Sequence, residues 1–192
     1  MTNQKCFLCK SSASKKSIVA AINGFKIYKC HQCNNAVTTP KLTIQNLKKL
    51  YTNKNYRSED GKRFNPFFEK IFNIFKYLKY LRIKKYMKKK DSILDFGCGD
   101  GMLLYFIKKN GNKVKGTEFS ISSNKLINGI TVPVVNSKKI FNLKEKFNFI
   151  ILSQVLPHLI SPLILIKKLK PLLFKKGIIY ISQPNIESVA FK

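Results

Sequence analysis

The chain has 192 residues, a hydrophobic fraction of 44% and a formal net charge of +28, from 37 basic against 9 acidic side chains. That apolar content suffices for one full domain with a smaller appendage and excludes a globally disordered chain. No apolar run approaches the roughly 20 residues of a membrane-spanning helix, and the polar, cysteine-bearing N-terminus does not read as a signal peptide, so a cytoplasmic protein is expected.

The charge is almost all lysine, since Arg57, Arg63 and Arg82 are the only arginines. Compositional bias would raise lysine, asparagine and isoleucine together, but it would raise glutamate too, and acids are scarce. Two readings stay open: a very soluble surface of drifted composition, or a face for a polyanion, either nucleic acid or an acidic membrane.

Taken in order, the chain begins with Cys6-x-x-Cys9 and Cys30-x-x-Cys33, two knuckles separated by twenty residues. Two residues between cysteines let a tight turn aim both sulfurs at one ion, and two such turns complete a tetrahedron. A structural Zn2+ held by Cys6, Cys9, Cys30 and Cys33 is therefore expected; paired disulfides are disfavoured in a reducing compartment. Four thiolates leave no open position for catalysis. His31, inside the second knuckle, is expected to face solvent. Ser17 to Ala21 and Gly24 to Tyr28 read as ribbon strands hinged near Asn23-Gly24.

Pro40 closes this module, so residues 1–40 are expected as a zinc ribbon and 41–90 as a helical linker segment. Leu42 to Tyr51 reads as a short helix and Thr52 to Asn65 as a loop. From Pro66 to about Lys90, Phe67, Ile71, Ile74, Leu78 and Leu81 recur at the helical period, broadened by Phe68, Phe72 and Phe75. Lys70, Lys76, Lys79, Arg82, Lys84 and Lys85 fall between them, and Lys88-Lys89-Lys90 suits the helix C-terminus. The expectation is that the apolar stripe packs on the following domain while the lysines face water. The alternative is a basic amphipathic surface for acidic lipid or a polyanionic substrate.

Residues 91–192 alternate strands with helices. Ser92 to Phe96 is a buried strand that breaks into the glycine-rich turn Gly97-Cys98-Gly99-Asp100-Gly101, and a helix follows from Met102 to Lys109, stopped by Asn110-Gly111. Further strands are expected at Lys113 to Phe119, Ile130 to Val135, Phe147 to Leu152 and Gly177 to Ser182. Helices are expected at Ser120 to Ile127 and Leu159 to Leu173, the latter with Ser161-Pro162 as an internal start. Near-continuous apolar strands mean a parallel sheet covered on both faces, a Rossmann-like α/β fold. Its ligands bind across the carboxyl ends of the strands. The glycine turn is placed there, as is Glu118, 23 residues after Asp95, where a carboxylate accepts hydrogen bonds from ribose hydroxyls. Asn136 and Ser137 follow the third strand, where an adenine edge is read.

These residues carry a specific resemblance. Ile93-Leu94-Asp95-Phe96-Gly97-Cys98-Gly99-Asp100-Gly101 resembles motif I of the class I S-adenosylmethionine-dependent methyltransferases. Gly116-Thr117-Glu118-Phe119-Ser120 resembles their second-strand motif, and Phe149 to Ile160 resembles their fourth strand with the V-L-x-H-L after it. The ribbon is similar to that of zinc-ribbon-bearing bacterial members. The resemblance implies that Asp95, Gly97, Gly99 and Gly101 hold the methionine end of S-adenosylmethionine. It places Glu118 at the ribose, counts Phe119 among the cofactor-binding residues, and puts Asn136 and Ser137 beside the adenine and Ser153 and Gln154 near the sulfonium. The acid common beside the adenine is missing, and Asn148 and Pro157 stand where the family usually has Asp and Glu. Cys98 is expected to pack rather than react.

Methyl transfer is an in-line displacement, so the protein mainly aligns the acceptor and excludes water. An oxygen or carbon acceptor also needs a base, and His158 is the candidate near the strand ends. The expected activity is S-adenosylmethionine-dependent methylation of a small molecule, a sugar or lipid-linked intermediate. RNA methylation and a non-catalytic binding or assembly subunit are the alternatives. Two edge strands usual in the family do not follow the fifth: either the sequence is a truncated form, or it is a minimal variant whose open sheet edge a protein partner covers.

Overall fold

The computed structural model describes residues 6, 8–11, 16–22, 25–39, 66–119 and 124–188. The chain divides into two compact units, residues 1–52 with 185–192, and residues 53–184. The expected helix at 42–51, the loop at 52–65 and the Asn23-Gly24 hinge lie outside the described residues.

In the first unit, β1 (Lys16–Ile22) and β2 (Phe25–Cys30) pair antiparallel, as expected, and a third strand, β3 (Ala36–Thr39), pairs with β2 on its other side. An ion pair between Lys29 on β2 and Glu187 ties residues from opposite ends of the sequence together. The lysine's hydrogen bond and charge hold the Glu187 carboxyl below its ordinary range.

The second unit begins with helix α1 (Pro66–Lys84), followed by β4 (Ser92–Phe96), α2 (Met102–Lys109) and β5 (Lys113–Glu118). Then come a small antiparallel hairpin of β6 (Lys125–Ile127) and β7 (Ile130–Val132), strand β8 (Val134–Asn136), β9 (Phe147–Ser153), α3 (Pro162–Leu169) and β10 (Leu173–Ser182). The five main strands form one sheet in the order β10-β9-β4-β5-β8, and every neighbouring pair is parallel. Strand order runs outward from β4 in both directions, so the topological switch point lies between β4 and β9.

Side chains alternate across the sheet. Ile93, Phe149 and Ile151 face a layer made by α1, α2 and the hairpin, with Tyr80, Ile83, Leu104 and Ile107 buried against them. Leu94, Phe96, Ile150 and Leu152 face the opposite layer, with Ile140, Leu165 and Leu169. Asp95 shares the pleat face of Ile93, the face that α1 covers.

Three expectations need correction. Residues 125–132 form a hairpin rather than the end of a helix and the start of a strand, because Asn128 and Gly129 both take positive φ and turn the chain back. The third sheet strand is therefore Val134–Asn136. Of the segment expected as helical from Leu159 to Leu173, the α-helix is α3 alone; it starts at the expected Ser161-Pro162, follows a separate 3-10 turn at Leu156–His158, and gives way to a second 3-10 turn at Lys170–Leu172, where Pro171 cannot continue an α-helical ladder.

The third correction concerns α1. The apolar stripe does not pack on the sheet. Ile74, Phe75, Leu78 and Leu81 are 58%, 60%, 42% and 44% exposed, while Tyr80 and Ile83 on the other side are buried. Tyr77 and Tyr80 pack their rings on Phe106 of α2. Lys76 and Lys79, half-buried, turn inward toward the sheet. The helix satisfies its inward lysines with acidic and hydroxyl partners and leaves its strongest apolar stripe in water. Strand β10 is the edge of the sheet and exposes Phe174, Ile178 and Ile181.

Candidate active site

The site is built at the carboxyl ends of β4, β5, β8 and β9. Strand β4 delivers Asp95 between Gly116 of β5 and Ile151 of β9. The chain then turns sharply. Gly97 has φ +78°, and a Cβ there would lie 2.9 Å from Val155 Cγ2. A side chain would therefore be both strained and crowded. The Gly97 and Cys98 N–H groups both donate to the Thr117 carbonyl at 2.9 Å, and the Gly97 N–H also reaches Thr117 Oγ1 at 3.3 Å. The Gly99 N–H donates to Glu118 Oε2 at 2.8 Å. Loop and second strand are thus one hydrogen-bonded unit. Asp100 Oδ1 accepts from the Met102 N–H at 3.1 Å and starts α2, while its Oδ2 pairs with Lys76.

Around Glu118 the structure brings together Phe119, Asn136 and Ser137. The Ser137 N–H donates to the Glu118 carbonyl at 2.9 Å, and Asn136 Nδ2 donates to the Phe119 carbonyl at 2.9 Å. Asn136 Oδ1 in turn accepts from the Lys138 N–H. Glu118, Phe119, Asn136 and Ser137 form one short cluster. On the other side of Asp95, Ser153 ends β9, and the Gln154 N–H donates to the Ser182 carbonyl at 2.8 Å. Gln154 adopts φ +58°, unusual for a residue with a side chain. His158 is exposed on the 3-10 turn after β9, with its N–H on the Val155 carbonyl.

The electrostatics centre on Asp95. It is 3% exposed, and its Oδ1 has no hydrogen-bond partner. Burial pushes its carboxyl up to about 7, opposed by the nearby Lys79 ammonium and assisted by the Glu118 and Asp100 carboxylates. Lys79 reaches Ser153 Oγ at 2.5 Å, and burial lowers its ammonium despite the pull of Asp95. Cys98 is buried, and burial followed by the Asp95 and Glu118 charges pushes its thiol far above the ordinary range. It packs, as expected; a Cβ on Gly116 would lie 2.6 Å from its sulfur.

Sequence reasoning missed Lys76, Lys79 and Thr117. Nothing distinguishes those two lysines from their neighbours along α1. Asn148, which departs from the family pattern, accepts the Ser92 N–H at 2.8 Å, at the amino ends of β4 and β9 and away from the site.

The donor set fits a cationic nucleoside cofactor. An orphaned buried carboxylate oxygen asks for a positive or donating partner, the Gly97 turn admits no side chain, and a second carboxylate stands at the tip of the neighbouring strand.

The four cysteines of the first unit form a separate cluster, with all four sulfurs within 4.8 Å of one another. Cys6 and Cys33 sulfurs are 3.7 Å apart, as are those of Cys9 and Cys30. A tetrahedral zinc with bonds of about 2.3 Å separates its sulfurs by about 3.8 Å. Cys6 and Cys30 are buried, and no disulfide joins the four. The Ser11 hydroxyl, then the N–H groups of Cys33 and Gln32, draw the Cys30 thiol down to about 6. His31 is exposed and lies outside the cluster.

A five-stranded parallel sheet with this strand order and flanking helices is a Rossmann-like fold. Residues 69–190 match the methyltransferase domain family, and the chain belongs to that family. Among solved structures, the chain is similar to the plantazolicin methyltransferase BpumL solved with a desmethylplantazolicin analogue and S-adenosylhomocysteine. That match has 22% identity and a TM-score of 0.48, over 76% of this chain and 55% of that one. It is also similar to a SAM-dependent methyltransferase from Archaeoglobus fulgidus, at 25% identity and TM-score 0.45, over 60% of this chain and 56% of that one. A third similar structure is coclaurine N-methyltransferase, at 19% identity and TM-score 0.48, over 55% and 35%. The chain thus spans between about a third and just over half of these proteins' own length. No curated protein matches the sequence.

Proposed function

We propose that this chain binds S-adenosylmethionine at the carboxyl ends of β4, β5 and β9 and directs its methyl group to a small-molecule acceptor of the sugar or lipid-linked class. The observation that carries the reading is Asp95, a buried carboxylate with an unpartnered oxygen, beside a turn hydrogen-bonded to Glu118. Asp95 and the Gly97, Gly99 and Gly101 backbone would hold the methionine end, Glu118 the ribose, and Phe119, Asn136 and Ser137 the adenine. Ser153 and Gln154 would line the floor. When bound, the cofactor supplies a methyl group already activated by its sulfonium.

The protein's own work is alignment, charge and exclusion of water. Ionised Asp95 favours a cation at the floor of the cleft. Lys79, anchored on Ser153, suits an acceptor that brings an oxygen or an anionic group. His158, exposed beyond the end of β9, is the candidate base for an acceptor proton.

In the other unit we propose that Cys6, Cys9, Cys30 and Cys33 hold a structural Zn2+. The sulfur separations match a tetrahedral shell, and four thiolates close it against substrate.

Calorimetry with S-adenosylmethionine tests the cofactor assignment. The full chain is expected to bind one equivalent, and Glu118→Ala to lose about 10–100-fold in affinity, the worth of hydrogen bonds to a charged group. His158→Gln is expected to bind the cofactor unchanged. Equal affinity in the wild type and Glu118→Ala would refute the assignment.

A further inference from the structure

We propose that the outward face of α1 docks on an anionic lipid surface, laying the helix flat on the membrane rather than through it. Ile74, Phe75, Leu78 and Leu81 are spaced to share one side of the helix, and each is more than two-fifths exposed. They form a contiguous apolar stripe, unlike the scattered exposed apolar residues of an ordinary surface. Exposed basic side chains stand at both ends of the stripe. Lys70 precedes it and Arg82 and Lys84 follow it on the helix, all exposed, and Lys85, Lys88, Lys89 and Lys90 are exposed just beyond the helix end. No described helix is long and apolar enough to cross a membrane. An apolar stripe with a cluster of exposed basic residues at its end is an arrangement that inserts at the boundary of headgroup and acyl chain.

Charge selects the occupant. A second copy of this chain, itself of net charge +28, would bring the same basic residues against this helix, and like charges oppose such a contact. A nucleic acid would satisfy the lysines but offers nothing to bury Ile74, Leu78 and Leu81. An acidic bilayer answers both: its headgroups meet the ammonium groups and its acyl region takes the aliphatic chains. The orientation of α1 is what makes this surface. Lys76 and Lys79 are turned inward to Asp100 and Ser153, and the stripe is thereby turned out.

The inference does not depend on methyl transfer, because vesicle binding needs no cofactor. The chain contains no tryptophan, so Phe75→Trp in the full zinc-loaded chain supplies a single reporter. With vesicles of mixed phosphatidylserine and phosphatidylcholine, its emission is expected to shift to the blue and to be quenched by brominated acyl chains. Phosphatidylcholine alone is expected to bind at least about tenfold more weakly. Phe75→Glu/Leu78→Glu, at two exposed positions, is expected to lose at least about tenfold in vesicle cosedimentation. An unshifted tryptophan, equal binding to neutral vesicles, or dimerisation through the same stripe in sedimentation equilibrium would each overturn the proposal. So would RNA that protects the tryptophan while vesicles do not.

Discussion

The Lys79 ammonium lies 2.5 Å from the Ser153 hydroxyl oxygen and beside the buried carboxyl of Asp95. Lys79, thirteen positions before β4 begins at Ser92, thus reaches the carboxyl end of β9 beside Asp95. Because its charge opposes the effect of burial on Asp95, Lys79→Met is expected to move the Asp95 titration further above about 7. An NMR titration of the Asp95 carboxyl carbon reads this directly. An unmoved midpoint would remove Lys79 from the electrostatics of the site.

Asp95 itself should trade stability against binding. Its carboxyl is raised from 3.8 to about 7 in the folded chain. The folded state therefore holds the proton more tightly than the unfolded state. The contribution is fully present below about pH 4 and is lost as pH rises toward about 7. Asp95→Asn removes the ionisable group. It is expected to stabilise the unliganded chain by roughly 1–3 kcal/mol at pH 8, with the gain vanishing near pH 4. Chemical denaturation at the two pH values measures it. A destabilised Asp95→Asn at pH 8 would show that the carboxylate is satisfied in the fold.

Gly116 tests packing beneath the loop. A Cβ there would meet the Cys98 sulfur at 2.6 Å and Leu104 Cδ1 at 3.0 Å. Gly116→Ala is expected to cost about 1–3 kcal/mol by overpacking. Gly116→Ala/Cys98→Ala should recover most of that loss, and additivity of the two changes in thermal melts would contradict the account.

The cysteine cluster predicts one zinc per chain by elemental analysis. Chelation is expected to melt the three-stranded ribbon while leaving the sheet unit folded, since the two are separate compact units. Cys33→Ser should weaken zinc by more than the about 10–100-fold typical of losing a group that only hydrogen-bonds to a ligand. Less than one zinc with all thiols free would count against the site.

Much of this architecture is written in local pattern. The cysteine knuckles, the strand into Gly97 and the acid at Glu118 each pair a residue type with a fixed offset, and all fell where expected. The hairpin at Asn128-Gly129 was legible in principle from its turn dipeptide, but the apolar residues around it also fit a helix followed by a strand. Strand β3 was hidden because Ala36-Val37-Thr38-Thr39 is too short to show alternation. The face of α1 was not legible at all. Periodicity reveals a stripe but not which neighbour it meets. Here buried Tyr80 and Ile83, with Lys76 and Lys79 reaching Asp100 and Ser153, outweigh the more apolar side.

The most direct test of the central claim is the affinity for S-adenosylmethionine of the full, zinc-loaded chain as a function of pH. A cation held by ionised Asp95 should bind with one-to-one stoichiometry, tighten as pH rises through about 7 and then level off, and Asp95→Asn should be weak and pH-independent over that range. Absence of binding by the folded protein, or equal affinity in Asp95→Asn at every pH, would contradict the account.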